Sequence, residues 1–188
     1  MDEIIVLDQQ LFLFLNQMGS KTFDDFWMLI THKATNISLY LFLAFFYLKQ
    51  TRLKYFLMLL LFVLILILLT DQATNFFKNG FERFRPCHEP ALEDRVRLVK
   101  STCGGLYGYF SGHASNSFAL AVFFSCIFWV KYSRLPFLLL IVASLVAYSR
   151  IYIGVHYPLD VLSGIIFGSL LGLMFYRIWR KINGEVLS

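Results

Sequence analysis

Five dense apolar stretches dominate this chain: Ala34–Leu48, Tyr55–Thr70, Ser115–Val130, Leu135–Tyr148 and Pro158–Tyr176. A helix needs roughly 17–25 residues to cross a bilayer. Each stretch is close to that length, although Ala34–Leu48 and Leu135–Tyr148 need flanking residues to complete a crossing. Backbone polar groups inside lipid must be satisfied within the chain, which favours helices. The expected fold is all-α: one polytopic membrane bundle over residues 1–188, with about five to six transmembrane helices plus an N-terminal amphipathic helix. Five crossings is the count read here, and Phe23–Thr31 is the element that would change it. An apolar share of 58% agrees with this class.

The net charge of +5 would suggest nucleic acid only if it lay on one soluble face, and it does not. Lys49, Arg52, Lys54, Lys131, Arg134, Arg177, Arg180 and Lys181 fall on one side of a five-span arrangement, as the positive-inside rule requires of the cytoplasm. Lys78, Arg83, Arg85, Arg95, Arg97, Lys100 and Arg150 all fall on the other side, against that rule. An anionic ligand is the natural reason for cations placed there. The opening Met1-Asp-Glu-Ile-Ile lacks the basic region of a cleaved signal peptide, so the N-terminus is expected to be retained.

Residues 1–30 form the N-terminal segment. Polar pairs at Asp2/Glu3, Gln9/Gln10 and Asn16/Gln17 recur every seven residues, and Ile4, Ile5, Leu7, Leu11, Phe12, Leu15 and Met18 cover the remainder. That pattern predicts an amphipathic helix lying in the outer interface or against the bundle, serving packing rather than substrate contact. Further along, Asp71, Thr74, Asn75 and Lys78 share one face at the outer end of the second span. A carboxylate there marks a functional site by default; the expected role of Asp71 is to orient a basic residue.

Three segments carry the chemistry. Residues 78–110 lie in the only long polar connection, where Lys78 stands seven residues before Arg85-Pro86. Its ten charges sum to only +2, too mild for a general anion funnel. Ser111-Gly112-His113 then opens the third span: Ser111 suits a helix N-cap, Gly112 permits close approach, and free N–H groups there favour an anion. His113 could donate a proton to a leaving oxygen. The third segment is Ser149-Arg-Ile-Tyr-Ile-Gly-Val-His-Tyr-Pro-Leu-Asp160. Arg150 presents a forked cation, His156 a nucleophile, and Asp160 a carboxylate one turn on to hold the other ring nitrogen. Taken singly, a His at a helix start is more often structural, and Ser149–Asp160 alone is as compatible with an interfacial Arg, a capping His and an Asp at a helix start as with chemistry.

Taken together, Lys-x6-Arg-Pro at Lys78–Pro86, Ser-Gly-His at Ser111–His113 and Ser-Arg-x5-His-x3-Asp at Ser149–Asp160 resemble the tripartite signature of the type 2 phosphatidic acid phosphatase (PAP2) superfamily. The resemblance covers roughly residues 30–182, and the one departure is Phe110, where that family usually has proline. It implies that His156 attacks phosphorus to form a phosphohistidine while Asp160 orients it. His113 would protonate the leaving oxygen and then activate water. Lys78, Arg85 and Arg150, helped by Ser111 and Gly112, would bind the phosphoryl oxygens. These cations take the place that magnesium holds in kinases. No Asp-x-Asp pair or His/Cys cluster argues for a metal, and no cofactor is expected.

The resemblance further implies a small bacterial envelope-lipid phosphatase of the inner membrane, multi-pass, with its site facing the periplasm. Phosphatidylglycerophosphate, phosphatidic acid, undecaprenyl diphosphate and lipid A phosphates all fit as substrates, and the oligomeric state is open. The rival is a non-catalytic lipid-binding or transport protein on the same bundle, which would not need His113, His156 and Asp160 together. Superfamily haloperoxidases are soluble, unlike this chain. If the outer loop faces an oxidising space, Cys87 and Cys103 are expected to pair, while Cys126 stays a free thiol within the third span.

Overall fold

The computed structural model describes residues 2–184. Seven α-helices follow in order: α1 (Asp2–Gln17), α2 (Asp24–Thr31), α3 (Lys33–Leu48), α4 (Leu53–Phe81), α5 (Gly112–Phe128), α6 (Leu135–Tyr152) and α7 (Pro158–Asn183). Helices α4, α6 and α7 are each long and apolar enough to cross a bilayer. The segment Lys21–Thr31 joins α3 as a pair bent by 48° at His32, and counts as a fourth span if the pair is one crossing. The expected count of five is therefore softer than the sequence suggests. Phe23–Thr31 bears on the count only as part of that bent pair. Helix α5 is apolar but only 17 residues long. It needs no lipid face, because α4, α6 and α7 surround it and bury most of its side chains.

Small residues fix how α7 lies on α5. A Cβ at Gly164 would stand 2.6 Å from the Ser111 carbonyl, and one at Gly168 2.1 Å from that of Ser115. Backbone-to-backbone contact of this kind is what a four-residue glycine repeat allows between membrane helices. It brings the start of α7 against the start of α5, where the Ser111 N–H donates to the Asp160 carbonyl at 2.9 Å.

Helix α1 departs from the expected pattern. Ile4, Leu7, Leu11 and Phe14 are exposed, whereas Asp8 and Asn16 are 4% and 0% exposed. Exposed apolar residues there suit contact with lipid, and Asp8 and Asn16 turn inward to partners in the bundle. Asn16 donates to the carbonyls of Arg97, Ile151 and Tyr152 and accepts from the Arg97 N–H, tying α1 to the outer loop and the end of α6. The predicted packing role fits this arrangement, through Asp8 and Asn16 together with the buried Phe12 and Leu13.

The connections Lys49–Arg52 and Lys131–Arg134 meet at one end of the bundle, where the Tyr132 hydroxyl donates to Gln50 at 3.2 Å. The opposite end carries the outer loop. There α4 stops at Glu82, a left-handed residue with φ 48°. Phe84 and Tyr107 form an isolated bridge, and Arg85 N–H donates to the Leu106 carbonyl. Cys87 and Cys103 are joined as a disulfide with Cα atoms 6.1 Å apart, as the sequence predicts, and Cys126 is a free cysteine in α5.

Candidate active site

Helix α6 ends in a tight turn at Gly154 (φ 85°), where a Cβ would come within 2.7 Å of the Arg97 carbonyl. The N–H groups of Val155 and His156 both donate back to the Arg150 carbonyl. Pro158 then starts α7. This turn sets His156, 2% exposed, one helical turn from Asp160, 0% exposed. His156 Nδ1 lies 3.4 Å from Asp160 Oδ2, which also accepts from the Tyr157 N–H at 3.0 Å. Burial, then the charges of Arg150, Arg85 and Lys78, hold the His156 pKa well below its ordinary value. The imidazole is therefore neutral, with Nε2 directed away from the carboxylate and available as a nucleophile.

Asp160 is braced from behind. Its Oδ1 accepts from Arg83 at 2.7 Å, and the other arm of the same guanidinium donates to Asp8 of α1. Asp8 in turn accepts from the Leu159 N–H at 2.9 Å, in the first turn of α7. The Arg83 guanidinium lies 4.2 Å over the Tyr157 ring, and Phe12 of α1 packs edge-on against that ring. Gly108 closes the dyad from above: a Cβ there would stand 3.1 Å from Asp160 Oδ2 and 3.5 Å from His156 Nδ1.

In front of His156 is a cavity of about 560 Å³. Lys78, Arg85, Arg150, Gly112, His113 and His156 all line it, so six of the eight residues singled out in the sequence share one space. Asp160 stands behind His156. Ser111 is fully buried, and its hydroxyl caps α5 by accepting from the Ala114 N–H at 3.5 Å. Gly112 permits a close approach as expected, but by Thr74 of α4, whose Cγ2 would be 3.3 Å from a Cβ. None of Lys78, Arg85 and Arg150 forms an ion pair with a carboxylate among the described residues. Among the described residues the Arg85 side chain donates only to the carbonyls of Tyr107 and Cys103. Arg150 donates to the Thr31 hydroxyl, and its Nε is buried without a partner among the described residues. Three unneutralised cations facing a neutral imidazole make a site for an anion.

The cavity continues into the bundle. Its deeper walls are apolar, with Tyr40, Leu41 and Ala44 from α3, Leu60 and Val63 from α4, and Phe124 from α5. Lys78 and Leu60 are 18 positions apart on α4, which is about 27 Å along the axis. Asp71 lies on the wall between them, and its expected role needs correction. It orients no basic residue among those described; Asn116 Nδ2 donates to it at 2.7 Å. Asp8, Arg83, Gly108 and Thr31 are functional neighbours that sequence reasoning did not single out. Only Arg83 carried a signal, as one of the outer cations. Lys33, at the start of α3, also reaches the cavity wall.

The PAP2 superfamily model matches residues 56–183. The lipid A 4'-phosphatase of Porphyromonas gingivalis is 38% identical over 189 aligned positions, covering 100% of this chain and 79% of the relative. That of Bacteroides thetaiotaomicron is 33% identical, covering 97% and 81%. Among solved structures, a transmembrane PAP2-type phosphatidylglycerolphosphate phosphatase from Bacillus subtilis superposes with a TM-score of 0.77 at 20% identity, over 98% of this chain and 90% of the other. Aquifex aeolicus LpxE gives 0.70 at 25% identity, over 89% and 93%. With the three motifs gathered at one end of a shared helical fold, this chain belongs to the PAP2 superfamily.

Proposed function

We propose that this membrane lipid phosphatase removes a phosphate monoester from an envelope glycolipid, with the 4'-phosphate of lipid A as the favoured substrate. His156 Nε2 attacks phosphorus; the N–P bond forms as the ester P–O bond breaks, and His113, which takes up a proton from water once the negative charge of the phosphate has entered the cavity, gives that proton to the departing alkoxide. A water molecule then attacks the phosphohistidine, passes a proton to His113, and frees inorganic phosphate. Lys78, Arg85 and Arg150 hold the phosphoryl oxygens throughout, with the N–H groups at the start of α5 as further donors. Ser111 fixes that helix start, and Asp160 keeps His156 in the tautomer that leaves Nε2 free.

One observation carries this reading: a single cavity joins the unpaired cations to an apolar interior between α3, α4 and α5. A phosphate on a lipid satisfies both ends, since the head meets the cations while acyl chains lie against Tyr40, Leu60 and Phe124. The relatives whose full length this chain largely matches are named for lipid A. The distribution of Lys and Arg favours an inner membrane with the site facing the periplasm.

The test is phosphate release by purified protein from lipid A bisphosphate, phosphatidylglycerophosphate, phosphatidic acid and undecaprenyl diphosphate, each with excess EDTA. The expected result is turnover without added metal and the highest kcat/KM on lipid A. Quenching with acid-labile, base-stable label on His156 supports the covalent step. No release from any lipid, or a strict magnesium requirement, would overturn the reading.

A further inference from the structure

Among the described residues Asp71 is the one carboxylate on the cavity wall, and neither phosphate binding nor an acyl chain accounts for it. It stands seven residues before Lys78 on α4, which is about 10 Å deeper along the helix. Asn116 stands three residues beyond His113 on α5, about 4.5 Å deeper. The two side chains meet there and both line the cavity. The orientation of Asn116 is fixed from both sides: its Nδ2 donates to Asp71 Oδ1, and its Oδ1 accepts from the Thr70 hydroxyl. The other oxygen of Asp71 has no protein donor among the described residues, and Asp71 is exposed.

A carboxylate at this depth, held in place and open on one side, suits a ligand that donates a hydrogen bond. Its position says which part of the ligand. Asn116 lies one turn below His113, so whatever touches Asp71 belongs to the leaving alcohol rather than to the phosphate. An isoprenoid alcohol has no donor there and would lay hydrocarbon against a charge. A sugar alcohol carrying a hydroxyl or an amide N–H supplies the donor.

We infer that Asp71, positioned by Asn116 and Thr70, is a specificity subsite that reads a hydroxyl or N–H on the leaving group. It would select phosphorylated, acylated sugars over isoprenoid phosphates. The inference rests on the phosphatase reading above. A charge-assisted hydrogen bond of this kind corresponds to about tenfold or more in kcat/KM.

The experiment compares kcat/KM on lipid A bisphosphate with that on farnesyl phosphate, in mixed micelles, for wild type, Asp71→Asn and Asn116→Ala. Asp71→Asn keeps the shape but turns an amide N–H toward the cavity. Asn116→Ala leaves Asp71 in place without its fixed orientation, and covers the case in which the first variant fails to fold. The expected result is a ratio of lipid A to farnesyl phosphate that falls at least tenfold in each folded variant. A smaller change in the ratio, even with both rates lowered together, overturns the subsite while leaving the phosphatase reading standing. Wild-type protein that hydrolyses neither substrate overturns both.

Discussion

The two sides of His156 are built on opposite principles. Behind it, Asp160, Arg83 and Asp8 alternate in sign, and backbone N–H groups of Tyr157 and Leu159 fill the remaining acceptors. In front of it, Lys78, Arg85 and Arg150 gather with no carboxylate in ion-pair contact among the described residues. The rear is a closed network whose function is rigidity. The front is left electrostatically incomplete, and incompleteness of this kind makes a binding site, because an incoming anion supplies the missing charge. A buried ion pair adds little net stability by itself. The rear network is better understood as aiming a ring than as holding the fold.

The largest test of the contrast removes the ring that separates the two sides. His156→Ala is expected to lower kcat by about 10⁴-fold or more, since His113, the other imidazole on the cavity wall, has no carboxylate partner among the described residues to hold it for attack. Residual activity within tenfold of wild type on a lipid substrate rejects covalent catalysis by this residue. On the front side, Arg150→Ala is expected to cost about 10²–10³-fold in kcat/KM through lost stabilisation of the transferring phosphoryl group. If inhibition by vanadate, which adopts the trigonal bipyramid of in-line attack, survives that substitution unweakened, Arg150 does not hold the phosphoryl oxygens.

The disulfide links the front side to the loop that carries it, because Arg85 donates to the Cys103 carbonyl at 3.0 Å. Cys87→Ser/Cys103→Ser is expected to lose ~3 kcal/mol of stability by the chain-entropy argument and to raise KM several-fold. Alkylation of both wild-type cysteines without reductant, in protein taken from the membrane, would reject the bridge.

On the rear side the effects are smaller. Asp8→Asn is expected to lower kcat by roughly tenfold with KM nearly unchanged, because it loosens Arg83 without touching the cavity. A change in KM alone would place Asp8 in binding instead. The pH dependence of stability is the finest probe. His156 is neutral when folded because burial and its cationic neighbours depress its pKa, whereas an unfolded chain takes up a proton there below about pH 6.5. The unfolded state then holds more protons, so stability rises with pH up to that value and falls on acidification below it. The slope from this one group is at most about 1.4 kcal/mol per pH unit. Melting curves from about pH 7 to 5 should fall more steeply for wild type than for His156→Gln; equal slopes would show that His156 is not held neutral.

Legibility in the sequence followed the same division. The front side could be read because chemistry restricts residue type: a phosphate site needs cations, and cations at the outer ends of spans defy the charge bias of membrane proteins. The dyad could be read because a helical turn links His156 to Asp160 locally. Asp8 could not, since it stands among apolar residues of a helix 152 positions before Asp160 and looks like part of a solvated face. Aqueous patterning assumes polar side chains face outward, whereas α1 turns Asp8 and Asn16 into the bundle and Leu7 and Leu11 out.

The sequence by itself determined the membrane class, the bundle of apolar helices, the family through the resemblance of its three motifs, the candidate site residues and the pairing of Cys87 with Cys103. All of these rest on composition, on short-range spacing, or on residues whose chemistry has few substitutes. Tertiary structure alone decided that Arg83 and Asp8 brace Asp160, that Ser111 caps a helix rather than lining the cavity, that Asp71 belongs to Asn116, and that the cavity lined by Lys78, Arg85 and Arg150 opens into an apolar interior between α3, α4 and α5. Each of these depends on which helix faces lie together. That is set by packing between distant segments, above all the glycines of α7 against the backbone of α5, and the spacing of residues along one chain does not encode it.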